Sequence, residues 1–235
     1  MKPIVVLRND PFGLVGYLGR ALDEREMDWE QRDLDAGDLL PDLGTFRALV
    51  ALGGKMGAYD VVEYPYLDGE KRLLGEATDA GIPVLGLCLG CQLLADALGG
   101  RAYRAERREV RFATVDMTED GSADPTVSRL EGRRVLTFHQ DTWDLPPGGT
   151  LLGTGGGFRQ AFRRGSAIGI QPHPEASPSI VESWIEWALP TVLEAGADPE
   201  RLVRELREAT VDIEATAASF FGAWLDEVEA ISGDG

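Results

Sequence analysis

The sequence predicts an α/β fold: a mixed, mostly parallel sheet with helices on both faces, continued by a C-terminal helical extension. Three observations predict it. From Ile4 to Gly100, short apolar runs alternate with segments of helical period, the spacing of parallel βαβ units under a covered sheet. After Gly100 strand-like segments succeed one another with no long helix between them, which makes that half antiparallel or mixed. From Asp198 onward, apolar residues keep a helical period as far as Ile231.

Each element follows from local pattern. Ile4–Leu7 reads as a buried strand and Asp10-Pro11-Phe12-Gly13 as a turn. Leu14, Tyr17, Leu18, Ala21 and Leu22 mark an amphipathic helix, and a weaker strand covers Met27–Leu34. Arg47–Leu52 is a strand followed at once by Gly53-Gly54, and Tyr66–Ala80 a helix capped by Gly81. Pro83–Leu87 is another buried strand, and Leu89–Leu98 a helix closed by Gly99-Gly100. The later strands are Arg101–Thr118, Arg133–Phe138, Thr150–Gly153 and Phe158–Gln171. The last of these bends at a hairpin turn over Arg163–Ser166, and Glu119–Pro125 is a polar loop. Pro178–Leu189 reads as a helix with Ser177 at its N-cap, and Pro190–Gly196 as a link. Asp198-Pro199 opens the last helix with a cap residue and a proline at the first helical position. Residues 1–190 are expected to form the main domain, with 191–235 a helical extension packed on it.

Composition narrows the function classes. The 235 residues carry a formal net charge of −17, which repels phosphate backbones and makes nucleic acid an unexpected partner. Two cysteines cannot make a disulfide framework. No apolar run reaches transmembrane length, and the apolar stretch before Arg8 is too short for a signal peptide. The expectation is a soluble cytoplasmic protein with no membrane partner.

The chain is organised around Gly81–Gly100. Cys88 stands where the Pro83–Leu87 strand turns into the Leu89–Leu98 helix, and Gly86 and Gly90 flank it two residues away on each side. Gly-x-Cys-x-Gly is the nucleophile-elbow pattern with sulfur in place of oxygen; tight turning and close backbone packing require the glycines. A lone cysteine at a strand end would more often be a packed core residue. The two glycines and the strand-to-helix switch tip the reading toward a nucleophile.

A cysteine nucleophile needs a base. The two histidines, His139 and His173, are each followed two residues later by a carboxylate, Asp141 and Glu175, on the same face of extended backbone. Either acid can orient its own imidazole, and Asp141 paired with His173 also has the chain order of the α/β-hydrolases. His173 closes an apolar strand and is stiffened by Pro174, whereas His139 is followed by a polar, turn-rich segment. The residues alone favour His173 and leave His139 open. Leu89 N–H, directly after the nucleophile, and Gly54 N–H, at a neighbouring strand end, are the candidate oxyanion donors. Gly54-Lys55 is not a phosphate loop, because Leu49 and Met56 stand where that motif needs glycine and Ser/Thr. Cys88-Leu-Gly-Cys91 is also a C-x-x-C, so thiol–disulfide exchange is a competing function; no second Cys/His pair supports a metal site.

Taken together, Gly86-Leu-Cys88-Leu-Gly90-Cys91-Gln92, the preceding Gly53-Gly54 and the later His173-Pro174-Glu175 resemble the class I (triad) glutamine amidotransferases. Gly54–Asp60, His139–Trp143, Gln160–Arg163 and Trp224–Asp226 extend the likeness to stand-alone proteins similar to the glutaminase domain of GMP synthase, over about the whole chain. The resemblance implies a three-layer, flavodoxin-like fold. It implies Cys88 as nucleophile, His173 as base, Glu175 as its orienting acid, Gly54 and Leu89 as oxyanion donors, and Gln92 with His139 as substrate-holding residues. It implies glutamine or a γ-glutamyl compound as substrate, a separate synthetase as acceptor partner, and no cofactor or metal. Cys91 and Arg111 depart from the family's usual residues; Arg111 is expected near the site, where it would alter how the substrate is held.

Overall fold

The computed structural model describes residues 2–233. In chain order its elements are β1 (Ile4–Arg8), α1 (Gly16–Glu24), β2 (Trp29–Asp33), β3 (Ala48–Ala51), α2 (Tyr66–Asp79), β4 (Val84–Leu87) and α3 (Leu89–Ala97). The second half comprises β5 (Arg101–Thr114), β6 (Asp116–Met117), α4 (Glu119–Ala123), β7 (Arg134–Asp144), β8 (Thr150–Gly155), β9 (Phe158–Arg164) and β10 (Ala167–Ile170). Three helices close the chain: α5 (Pro178–Trp187), α6 (Leu189–Glu194) and α7 (Pro199–Gly233).

Eight strands make one sheet in the order β2-β1-β3-β4-β10-β9-β8-β6, and β5 and β7 form a separate antiparallel ribbon. From β2 to β10 every pairing is parallel; beyond β10 the sheet turns antiparallel. The expected change of character after Gly100 is therefore present. The alternation of side chains along each strand divides the core into two layers. Ile4, Val6, Val50, Leu85 and Ile168 face Leu18 and Leu22 of α1 and Phe220, Phe221 and Trp224 of α7. Val5, Leu7, Leu49 and Val84 face Leu67, Leu73 and Leu74 of α2 and Leu93 and Leu94 of α3. The result is a three-layer α/β sandwich.

The long α7 joins two cores. Leu202, Leu206 and Ile213 pack with α5, α6 and the β5–β7 ribbon, and Phe220 onward packs on the sheet. Asp198 caps it as expected, its Oδ1 accepting from the N–H groups of Glu200 at 3.0 Å and Arg201 at 3.3 Å. Ser177 occupies the N-cap of α5, but its hydroxyl pairs with Ser179 rather than with the helix.

Three local readings are corrected. The segment expected as a polar loop after Met117 is the short helix α4, because Thr118 Oγ1 accepts from Gly121 N–H. Residues 190–194 of the expected link belong to α6. Strand β7 does not stop at Phe138: it runs to Asp144, held in register with β5 across a bulge and anchored by the fully buried Trp143. His139 thus lies inside a strand. Among the described residues no helix is long and apolar enough to cross a membrane.

Candidate active site

Cys88 occupies the single-residue junction between β4 and α3, with φ 52° and ψ −105°. A positive φ is strained for a side chain bearing a Cβ and persists only where the surroundings enforce it. Here the enforcement comes from the flanking glycines. A Cβ on Gly86 would lie 2.5 Å from the Gly90 carbonyl oxygen, and one on Gly90 2.0 Å from that of Ala51. β4 and α3 therefore approach more closely than any larger residue allows, and the chain reverses at Cys88 with its side chain at the cavity.

That cavity, about 560 Å³, lies beside the carboxyl ends of β1, β3 and β4. Cys88, His173, His139, Gly54, Leu89 and Gln92 all line it. The structure thus brings together the sequence-predicted site residues, with Glu175 directly behind His173.

His173 follows the end of β10 and is tied to β7 by its N–H donating to the Leu136 carbonyl at 2.8 Å. Its Nδ1 lies 2.7 Å from Glu175 Oε1. The Trp184 ring of α5 meets it edge-on at 4.7 Å, and Trp184 Nε1 is itself anchored on the Phe12 carbonyl. Burial disfavours the imidazolium, but the charge of Glu175 and the interaction with Cys88 outweigh it and hold the His173 pKa well above the ordinary imidazole value. Glu175 is fixed from the other side, its carbonyl accepting from Tyr17 N–H at 2.9 Å.

His139 is held differently. Its Nδ1 lies 3.0 Å from the Asp141 carbonyl oxygen, and its Nε2 lies 3.1 Å from Glu109 Oε2. The acid two residues on therefore does not orient this ring with its side chain; Glu109, directly across the β5–β7 ladder, does. Glu109 also accepts from Gln160 Nε2 at 2.9 Å and from Arg111 at 2.6 Å. Burial would raise its pKa, yet His139, Arg111 and Gln160 together hold it low. Arg111 does not line the cavity: its place is behind Glu109. The Asp141 carboxyl instead meets Tyr59, whose phenol is pushed up to about 12 by burial and by that acid, while burial raises Asp141 itself.

Among the described residues, the N–H groups of Gly54 and Leu89 have no hydrogen-bond acceptor. Gln92 is buried and its Nε2 donates to the Asp141 carbonyl and to Gln171 Oε1, both at 3.3 Å. Gln171 is a site residue the motif search missed: it is fully buried, with Nε2 3.6 Å from Cys88 Sγ. The available signal was a polar residue between the apolar Ala167–Ile170 run and Pro172. Glu109, Asp141 and Tyr59 were likewise not assigned to the cavity region by sequence; only three-dimensional register brings them in. Cys91 is fully buried in the core between sheet, α2 and α3, and burial pushes its thiol pKa well up, the opposite of what disulfide exchange requires.

A family model described as glutamine amidotransferase class-I matches residues 38–185. The chain is 29% identical over 180 residues to the glutamine amidotransferase-like protein YfeJ of Salmonella typhimurium, covering 74% of each. It is 34% identical over 179 residues to the glutamine-hydrolysing GMP synthase of Thermus thermophilus, which takes in 69% of this chain but 32% of that protein. The crystal structure of a glutamine amidotransferase from Thermotoga maritima superposes with a TM-score of 0.85 at 28% identity, covering 96% of this chain and 97% of that one. The matched stretch spans more than half of the sequence and includes Cys88, and the fold is shared nearly end to end: this protein belongs to the class I glutamine amidotransferases.

Proposed function

We propose that the chain hydrolyses the side-chain amide of L-glutamine and passes the ammonia to a separate synthetase-type protein. The observation that carries this reading is the opening of Cys88 and the His173–Glu175 pair into one cavity, beside two N–H groups with no acceptor. Cys88 Sγ gives its proton to His173 Nε2 and attacks the amide carbon. The oxygen of the tetrahedral adduct accepts from Gly54 and Leu89 N–H. The imidazolium, held charged by Glu175, returns the proton to nitrogen; the C–N bond breaks and ammonia leaves a γ-glutamyl thioester on Cys88. Water, deprotonated by His173, attacks that thioester, and glutamate and the free thiol are restored. Gln92 and the His139 side of the cavity hold the amino-acid head. Residues 1–190 carry this chemistry, with the C-terminal helices buttressing His173 through Trp184 and α7.

The acceptor belongs to the reading because the chain spans about a third of the GMP synthase it matches, so most of that protein has no counterpart here. Ammonia release by the isolated protein is expected to be slow and to rise when the acceptor is added, since a Gly53-Gly54 peptide can reorient at little cost. One observation supports a second reading, hydrolysis of γ-glutamyl amines or peptides: Trp184 and the half-exposed Trp187 line the cavity, leaving an apolar surface for a larger leaving group. Ammonia release from glutamine, set against amine release from γ-glutamyl amides, tests both. Faster turnover of glutamine, stimulated by a synthetase, supports the amidotransferase; full activity on γ-glutamyl amides alone supports the hydrolase.

A further inference from the structure

Glu70 on α2 has no part in the chemistry above, yet it is completely buried. Its one hydrogen bond comes from Asn9 Nδ2 to Oε1, at 3.1 Å. Two atoms of this same pair, Glu70 Oε2 and Asn9 Oδ1, have no hydrogen-bond partner among the described residues. Both are acceptors, and nothing supplies them with a hydrogen. No ion pair reaches Glu70 either: the neighbouring Lys71 is taken by Asp96 at 2.9 Å, and Lys55 lies against Asp10 at 3.5 Å. The other groups on this side are Tyr66, Tyr64, Asp35 and Asp10, none of which is a cation. A buried carboxylate so placed carries a desolvation penalty of about several kcal/mol with no compensating charge.

One proton resolves both orphaned atoms. Placed on Glu70 Oε2, it turns the single contact into a two-point carboxylic acid–amide pair in which Asn9 Oδ1 accepts and Asn9 Nδ2 still donates. Burial acts in the same direction, pushing the Glu70 pKa up to about 8 against the lowering effect of the Asn9 hydrogen bond.

The pair lies against the oxyanion segment. Asn9 directly follows β1, and a Cβ built on Gly54 would lie 3.4 Å from Asn9 Cβ. The Asn9 backbone is pinned by Tyr66 Oη donating to its carbonyl at 2.8 Å. A few residues on, Gly13 packs so closely on Gly53 that a Cβ there would lie 2.6 Å from the Gly53 carbonyl oxygen. We propose that Glu70 is a positioning residue: held as a neutral carboxylic acid, it fixes Asn9 and thereby the backbone seat from which Gly54 presents its N–H to the reaction. This rests on Gly54 acting as an oxyanion donor.

The test compares wild type with Glu70→Gln and Glu70→Ala. Glu70→Gln keeps a two-point pair without a titratable proton; Glu70→Ala removes it. The folded state holds the Glu70 proton to a higher pH than the unfolded chain does, so this group's contribution to stability falls as pH rises from the ordinary carboxylate range to about 8. Glu70→Gln is expected to lack that part of the slope, and to lack a protonated-carboxyl C=O infrared band that wild type shows at neutral pH. In glutamine hydrolysis, Glu70→Gln is expected to keep kcat within about threefold at neutral pH and to lose the fall that wild type shows through about pH 8. Glu70→Ala is expected to lose about tenfold or more in kcat with a smaller change in KM, as a displaced oxyanion donor would. The proposal is overturned if the infrared band is absent, if Glu70→Gln is as damaged as Glu70→Ala, or if Glu70→Gln keeps the same alkaline fall. Should Glu70→Ala not fold, the pH profile and infrared band of Glu70→Gln still decide. A protein inert toward glutamine would contradict the proposed function, while the stability and infrared results would still report on the proton.

Discussion

His173 and His139 line the same cavity, and each has a buried carboxylate within hydrogen-bond reach: Glu175 at 2.7 Å and Glu109 at 3.1 Å. They differ in what remains. His173 spends Nδ1 on Glu175 and leaves Nε2 for Cys88. A Cβ on Gly53 would sit between the two, 3.3 Å from His173 Cε1 and 3.6 Å from Cys88 Cβ. His139 spends both ring nitrogens, one on a backbone carbonyl and one on Glu109. A general base needs an uncommitted nitrogen as well as an orienting acid. By that criterion the two pairs divide the work: one for chemistry, the other for holding the β5–β7 ribbon against the cavity.

The largest expected effect is at the sulfur both histidines could serve. Cys88→Ala should lower glutamine hydrolysis by about 10⁴-fold or more, measured as ammonia release with the acceptor present. Substantial residual turnover would remove the reason for comparing the histidines at all. His173→Ala follows, with an expected loss of about 10³-fold in kcat. Glu175→Gln sharpens the comparison through its pH dependence. The raised His173 pKa means that its pairing with Glu175 stabilises the fold fully at low pH, and that this contribution is lost as pH rises through the raised value. The stability gap between wild type and Glu175→Gln should therefore narrow at alkaline pH, and the alkaline limit of activity should move down toward the ordinary imidazole range. An unmoved limit would show that Glu175 does not set the charge of His173.

His139→Ala should reverse the balance. We expect kcat within about tenfold of wild type, but a destabilisation of about 2–4 kcal/mol in denaturant titrations, because Glu109 stays buried after losing a partner. A catalytic loss equal to that of His173→Ala with no loss of stability would break the division of roles. The smallest effect belongs to Cys91. Cys91→Ala leaves a small void in a packed core, about 1 kcal/mol, and should retain activity. If the variant were inactive, C-x-x-C exchange would return as a reading.

What was legible in the sequence follows the same divide. The His173–Glu175 pair was readable because its partners are two residues apart on stiff, extended backbone. The elbow was readable because Gly86 and Gly90 report a steric demand that the structure shows as contacts of 2.5 and 2.0 Å. The partner of His139 was not, because Glu109 stands thirty residues upstream and meets it only through antiparallel register beyond a bulge. The length of β7 was misread for a related reason: its polar end, Gln140 to Asp144, is stabilised by ladder pairing and by Trp143 rather than by apolar alternation. Helix α4 was hidden by a polar composition that suits a loop, its stability resting on the Thr118 cap. Arg111 was expected to affect the substrate directly; its partner across the strand puts it behind Glu109 instead.

The central claim, that His173 and not His139 acts on Cys88, is most directly tested by the rate at which a glutamine-mimicking electrophile labels Cys88, followed by intact mass in wild type, His173→Gln and His139→Gln below their unfolding temperatures. The account predicts a fall of about 10²-fold or more for His173→Gln and a rate within a few-fold of wild type for His139→Gln. The reverse order, or equal falls in both, would contradict it.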